Sequence, residues 1–533
     1  MYIVRGDITM LRADTIWTAL DMDNNETVSI LPNMANRHGL IAGATGTGKT
    51  ITLKVLAESF SDLGVPVFLS DVKGDLAGMI HPGAETEDMK KRIAAFRLDE
   101  TDFCFRSYPT AFWDIEGKRG MPLRTTVSEF GPALLSRLLG LSELQTDILT
   151  ILFRIADEED LLLLDLKDLK SMIQYVAENN KEYSIAYGNM TSQSLHAILR
   201  AVVSLETEGG EQFFGEPAID IHDFFRTDAN GRGVINILDA QKTVINTKIY
   251  STFMLYLMAE LFEQMPEVGD AEKPKMVFFF DEAHLLFDHA PKVLLEKIEQ
   301  VVKLIRSKGI GIFFITQNPS DVPDAVLAQL GNKIQHALRA YTPSETKKIK
   351  AAAASFRPNK MFNTEEALTK LGTGEALISF LDSTGSPEMV RRCRILPPQS
   401  AMGAIEDSAR QSTLASSPLF SKYAAFIDRD SAYEVLKRKA DAQFALAEQK
   451  AKEEAEAREK EREEKERAKQ EDKNKKTVMS GVKSVGRSTA GTVGREVGYA
   501  VGTSILGKGF GRRLGGNIGA ALGRGLFGTL FKG

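Results

Sequence analysis

The stretch His38-Gly39-Leu40-Ile41-Ala42-Gly43-Ala44-Thr45-Gly46-Thr47-Gly48-Lys49-Thr50 decides the fold. An apolar run at 39–42 breaks into a glycine-rich loop. From Thr50 to Ser61, Leu53, Leu56, Ala57 and Phe60 then recur at helical spacing. The loop matches G-x-x-x-x-G-K-[ST] throughout. In that pattern glycines let successive backbone N–H groups wrap a phosphate, and the helix N-terminus adds a field that favours anions. Gly43, Ala44, Thr45, Gly46, Thr47, Gly48, Lys49 and Thr50 are therefore the expected ligands of a nucleotide, ATP, with Lys49 on the β- and γ-phosphates and the Thr50 hydroxyl on Mg2+.

Outward from the loop, Val65–Asp71 reads as the next strand, so strand, loop, helix and strand form a βαβ unit and predict a parallel α/β sheet. Further strands are expected at 233–238, 275–281, 311–317, 333–341 and 375–381, with helices at 244–264 and 291–307. The chain divides into a short N-terminal β segment (1–38), a core in two pieces (39–84 and 231–400), and a helical insertion (85–230). A linker with helix (401–436), a charged helix (437–476) and a basic glycine-rich tail (477–533) follow. The insertion is leucine-rich at helical spacing over 127–155 and 161–204, a pattern that core packing explains.

The strand at 276–280 is wholly apolar and ends in Asp281-Glu282. Two acids at the tip of a buried strand beside the phosphate-loop strand suit two tasks. Asp281 would hold Mg2+ through its water shell, and Glu282 would orient and polarise an attacking water. The plainer alternative is a pair of N-cap acids for a helix at 283–288. The letters of 281–284 also spell the DEAH label, but the other motifs of that helicase class are missing. Thr316-Gln317 ends the next buried strand, where a polar side chain can sense the γ-phosphate; a turn into Asn318-Pro319 is the alternative. Phosphoryl transfer needs a cation on the developing charge, often a neighbouring subunit's arginine, and Arg339 and Arg306 are candidates against a plain surface role. Asp71 and Lys73 fall at the C-terminal edge of strand 65–71, where ligands collect in open α/β sheets, and Asp71 is a candidate nucleotide contact. The histidines offer no metal pair; His284 and His289 stand five apart.

With 43% hydrophobic and 26% charged residues, the 533-residue chain has a globular composition. Two cysteines, Cys104 and Cys393, exclude a disulfide scaffold. The N-terminus lacks a basic start followed by an apolar stretch, and no run of 18 apolar residues occurs. A cytoplasmic protein is therefore expected. The net charge of −5 hides an asymmetry: 1–436 carries 45 basic and 59 acidic residues, whereas 477–533 carries 8 basic residues and one acid. Bulk charge thus gives no support for non-specific nucleic-acid binding. The most basic stretch of the body, Lys347, Lys348, Lys350, Arg357 and Lys360, reads either as a phosphate contact or as a solvated helix face. In 437–476, 26 of 40 residues are charged and apolar positions are too few for a coiled-coil seam, so a solvated single helix is expected. Gly507, Gly511, Gly515, Gly519 and Gly523 repeat every four residues in the tail. That spacing suits close helix approach, and with interleaved apolar residues such as Leu514, Ile518 and Leu522 and the basic Arg512, Arg513, Arg524 and Lys532 it suits self-association or an anionic membrane surface at the inner face, with a flexible tail as the alternative.

Taken together, 36–50, 68–78, 278–287, 305–323, 334–343 and 372–379 resemble the HerA/FtsK superfamily of P-loop ATPases, and most closely its bacterial HerA-like (YjgR-like) branch. The resemblance implies a RecA/FtsK-like core of the additional-strand catalytic-glutamate type and a homo-oligomer built as a hexameric ring. It further implies ATP-driven motion on DNA, with a nuclease as a candidate partner. By position it makes Lys49 and Thr50 the Walker A pair, Asp281 and Glu282 the Walker B pair, Gln317 the sensor and Arg339 the finger acting in trans. The 38 N-terminal residues are short for the β-barrel of HerA proper, and the FtsK winged helix is missing. The rival expectation is a nucleotide-driven scaffold or switch tethered to a membrane by 477–533.

Overall fold

The computed structural model describes residues 11–12, 15–242, 247–269, 271–287 and 292–477. The glycine-rich tail expected to self-associate or touch a membrane lies, from residue 478 on, outside the described residues. Two compact units form: Met1–Thr146 with Leu164–Leu166 and Arg200–Asp428, and Asp147–Leu163 with Lys167–Leu199 and Arg429–Gly533.

The first unit is built on one sheet of 13 strands among the described residues. These are β1 (Leu11–Arg12), β2 (Thr15–Asp21), β3 (Thr27–Ile30), β4 (Gly39–Ala42), β5 (Val67–Asp71), β6 (Thr110–Asp114), β7 (Met121–Pro122), β8 (Ile235–Asp239), β9 (Met276–Phe280), β10 (Ile310–Thr316), β11 (Asn332–His336), β12 (Glu375–Ser379) and β13 (Arg391–Ile395). Their order is β1-β2-β13-β12-β11-β4-β10-β9-β5-β8-β6-β7, with β3 paired to β2. From β11 through β7 every pairing is parallel, and from β11 outward through β12, β13, β2 and β1 every pairing is antiparallel.

Three features differ from the sequence reading. First, the acid-tipped strand β9 is not beside the phosphate-loop strand β4. Strand β10 lies between them, pairing Phe313 with Gly39 on one side and Phe279 on the other. This is the additional strand that the resemblance implies. Second, the stretch 85–230 is not helical throughout, because β6 and β7 return to the sheet beyond β8. The reason is local: Ala111, Phe112 and Trp113 are buried, and Trp113 Nε1 donates to Asn236 Oδ1 of β8 at 3.0 Å. Third, the N-terminal strands belong to the main sheet, with β2 paired to β13.

Central strands are buried on both faces, which is why Met276–Phe280 and Ile310–Thr316 read as near-continuous apolar runs. On one face Phe60 of helix α1 (Lys49–Asp62) packs on Phe279 and Phe313, with each ring centroid 6.2 Å away. On the other, alternate residues Phe68, Phe278, Phe280 and Phe314 stack in a row at 5.0–6.0 Å. α1 is also covered on its outer side. Fully buried Glu58 accepts from Gln399 N at 2.8 Å, Ser400 N at 3.1 Å and Ser400 Oγ, and Lys54 Nζ donates to the Ala401 carbonyl. The segment after β13 thereby fastens the helix that begins at Lys49.

The second unit is helical. Buried Asp168 accepts from Ser431 Oγ at 2.6 Å and Tyr433 N at 2.8 Å, anchoring the start of the 46-residue helix Ala432–Thr477. Further along, Glu448–Lys452 and Glu454–Arg458 pair at one-turn spacing, glutamate first, which supports an exposed charged helix.

Candidate active site

The quoted loop leaves the C-terminal end of β4 and enters α1. Gly43, Gly46 and Gly48 take φ of 154°, 77° and 115°, and the helix opens at Lys49. Gly43 has no room for a side chain: a Cβ would lie 2.5 Å from His336 Cβ. Lys49 is buried, and its Nζ donates to the Gly43 carbonyl at 2.6 Å and the Ala44 carbonyl at 3.2 Å, within the concavity of the loop. Burial, with the nearby Lys73 cation, pushes the Lys49 ammonium below the ordinary lysine range; Glu282 and Asp281 oppose this. Thr47 Oγ1 donates to the Ala44 carbonyl at 2.7 Å, Thr45 is exposed, and Thr50 sits half-buried in the first turn of α1.

Asp281 and Glu282 follow β9 and are both 6% exposed. Burial pushes the Asp281 carboxyl up to about 6, with Lys73 acting in the opposite direction. Glu282 has φ of 48°, a conformation that costs a non-glycine residue about 1–3 kcal/mol and persists where surroundings enforce it. Here the enforcing contacts are Glu282 N to Asp281 Oδ1 at 2.9 Å and Ala283 N to the Ile315 carbonyl of β10 at 2.8 Å. The short helix His284–Phe287 follows. Glu282 Oε1 meets Lys73 Nζ at 2.6 Å, while Oε2 is buried and makes no hydrogen bond among the described residues, with His284 Nδ1 3.4 Å away. Burial works against the Glu282 charge, yet the Lys73 bond and charge hold its carboxyl below the usual range.

Gln317 follows β10, the strand between the two halves of the site, and is exposed. Asp321 sets the turn around it, accepting from Thr316 Oγ1 at 2.8 Å and Asn318 N at 3.0 Å. The expected strand at 333–341 ends at His336, and Arg339 lies beyond it, with Nη1 donating to the Thr369 carbonyl at 2.7 Å and Nη2 to that of Leu371 at 3.3 Å. Arg306 precedes β10 and therefore sits at the opposite sheet edge from the chain's own phosphate loop, about 23 Å away along a seven-residue strand. The Asp71 carboxylate accepts from Gly74 N at 2.6 Å, Asp75 N at 3.3 Å and Leu76 N at 3.1 Å, so it organises the loop that carries Lys73.

The sequence reading overlooked His336. Fully buried at the end of β11, it pairs through Nε2 with Thr52 Oγ1 at 2.8 Å and through Nδ1 with the Glu375 carbonyl at 2.9 Å. Gly374 N donates to the Thr47 carbonyl at 2.9 Å, closing the loop from that side. A lone histidine at the end of a short strand carries no sequence signal beyond core. The basic stretch lies on and after the helix Pro343–Ala354, whose Ile349 and Ala352 are buried while Lys347 and Lys350 are exposed.

A phosphate loop on one strand, paired acids on another and an additional strand between them define a P-loop ATPase of the additional-strand type. The chain belongs to the helicase HerA-like C-terminal family, which matches residues 18–530. The DNA double-strand break repair helicase HerA of Sulfurisphaera tokodaii is 22% identical over 369 residues, covering 66% of this chain and 64% of that protein. The protein of the same description from Sulfolobus acidocaldarius is 22% identical over 376 residues, covering 67% and 64%. The chain thus spans a little under two thirds of the length of these relatives. Among solved structures, VirB4 of Thermoanaerobacter pseudethanolicus aligns with a TM-score of 0.48 at 15% identity, over 72% of this chain and 97% of that one. Among the described residues no helix is long and apolar enough to cross a membrane.

Proposed function

We propose that the chain hydrolyses ATP in a Mg2+-dependent reaction and couples it, as a homo-oligomeric ring, to movement along DNA. The observation that carries the hydrolytic reading is Glu282: strained, buried, and beside Lys49 and Asp281, with one carboxylate oxygen that makes no hydrogen bond among the described residues and has His284 Nδ1, 3.4 Å away, as a polar neighbour. A water could fill that acceptor. The residues present also fit the metal, since the Thr50 hydroxyl and Asp281 carboxylate are the hard oxygen donors it takes. When bound, Mg2+ supplies charge neutralisation at the β- and γ-phosphates.

The residues divide the work. Backbone N–H groups of 43–48 and Lys49 cradle the phosphates, and burial strengthens the contact made by Lys49. Glu282 orients the attacking water and accepts its proton density; Gln317 reports on the γ-phosphate from the intervening strand. Asp71 contributes by shaping its loop. Arg306 lies at the far end of β10 from its own chain's phosphate loop, so a site it serves would be a neighbour's, and Arg339 is the second candidate for that role. This is the argument for a ring, with six subunits as the expected number.

DNA enters through the family and through its relatives, two of which are DNA double-strand break repair helicases. Its phosphates would meet Lys347, Lys350 and the adjacent basic positions. The test is steady-state ATP turnover with and without single- and double-stranded DNA. Severalfold stimulation is expected, weakening with salt. Turnover indifferent to DNA would overturn the coupling and favour a scaffold or switch whose target is not nucleic acid.

A further inference from the structure

We infer that Lys73 is a second phosphate ligand, selective for the terminal phosphate of a nucleoside triphosphate, and held on Glu282 until that phosphate arrives. The inference rests on the proposed nucleotide site and deepens it.

The loop 71–76 is fixed more firmly than a surface turn requires. Asp71 takes three of its backbone N–H groups, and Gly74 stands at φ 78° with the Gln241 amide where a Cβ would be, 1.3 Å from that position. Any side chain at 74 would displace Gln241 or the loop. At the tip of this rigid turn Lys73 reaches Glu282 with its Nζ 2.6 Å from Oε1. The two partners differ in environment: the Lys73 side chain is 41% exposed and that of Glu282 only 8%. The lysine can therefore swing, whereas the carboxylate cannot.

Lys73 is also near Lys49, close enough for each cation to act on the surroundings of Asp281 and Glu282. Two lysines face the carboxylates of Asp281 and Glu282, with Asp75 of the same loop nearby, so the cluster holds no surplus of positive charge. A terminal phosphate brings excess negative charge beside Lys49, and it competes with one carboxylate oxygen for the Lys73 ammonium. Once Lys73 transfers, Glu282 Oε1 is released for water. A diphosphate does not reach far enough to draw it away. Lys73 so links recognition of the triphosphate to the arming of Glu282.

The experiment is equilibrium binding to the full-length chain of fluorescent ADP and of a fluorescent non-hydrolysable ATP analogue. The variants are Lys73→Met, Lys73→Arg, Glu282→Gln and Lys49→Ala. Loss of one charge-assisted bond predicts that Lys73→Met weakens the triphosphate roughly tenfold or more while ADP changes less than about twofold. Lys73→Arg should recover most of the loss. Glu282→Gln, which frees Lys73, should tighten the triphosphate and leave ADP unchanged. Equal effects on both nucleotides, or none on either, would overturn the inference. The Lys49→Ala arm separates this from the underlying reading: if it leaves both affinities intact, the phosphate loop itself has been misassigned. Retained ADP binding in Lys73→Met also certifies that the variant is folded.

Discussion

His336 supports the phosphate loop from beneath and makes stability depend on pH. Burial, reinforced by the Lys49 cation, takes its imidazole from the ordinary 6.5 to about 4. The folded chain therefore keeps it neutral, hydrogen-bonded to Thr52 and to the Glu375 carbonyl, at pH values where the unfolded chain takes up a proton. Its contribution is complete above about pH 6.5 and is lost as pH falls toward 4. At 1.36 kcal/mol per unit the full loss is about 3 kcal/mol, and between about pH 7 and pH 5 it is about 2 kcal/mol. Asp71, pushed up to about 7, and Asp281, pushed up to about 6, act with the opposite sign and stabilise as pH falls. They are common to wild type and variant, so a difference measurement removes them. Urea unfolding can be followed by the fluorescence of Trp17 and Trp113, the two tryptophans of the chain, both in the same unit as His336. His336→Gln should lower stability at pH 7 and flatten the decline toward pH 5 by about 2 kcal/mol. Identical pH slopes for the two proteins would refute the reasoning.

Two further outcomes test other parts of the molecule. Glu58→Ala leaves the Lys54 cation buried and two backbone donors of 399–400 unmatched, so it should cost about 3–5 kcal/mol in the same urea assay. The double replacement Lys54→Met with Glu58→Leu should cost less, and a loss below about 1 kcal/mol for Glu58→Ala would contradict the buried clamp. Gln317→Ala should lower ATP turnover roughly a hundredfold while ATP affinity changes little, as expected for a group acting on the terminal phosphate in the transition state. An equal fall in affinity would place Gln317 in ground-state binding.

Much of the sheet was legible because its strands are buried on both faces. Apolar runs such as Val277-Phe278-Phe279-Phe280 have no competing reading, and the glycine loop marks where β4 gives way to α1. β6 escaped because its five residues, Thr110-Ala111-Phe112-Trp113-Asp114, are few and lie just ahead of the leucine-rich helices. Yet β5, β6 and β8 each end in aspartate, and β9 is followed by one, a pattern that could have exposed it. The order of strands is a matter of long-range pairing, which local periodicity does not encode; the intervening β10 followed from resemblance alone. For the candidate site, the loop residues and the acid pair stand out by their spacing. The Lys73–Glu282 contact and the His336 support do not, because each joins residues more than two hundred positions apart.

The measurement that most directly tests the central claim is the paired turnover and binding of ATP by Glu282→Gln. The carboxylate-to-amide change keeps size and removes the group proposed to polarise water. The account predicts a fall in turnover of roughly a hundredfold or more, with ATP bound at least as tightly as in the wild type. Turnover that survives the substitution within a fewfold would contradict it, and would mean that the strained glutamate after β9 is not the residue that activates water.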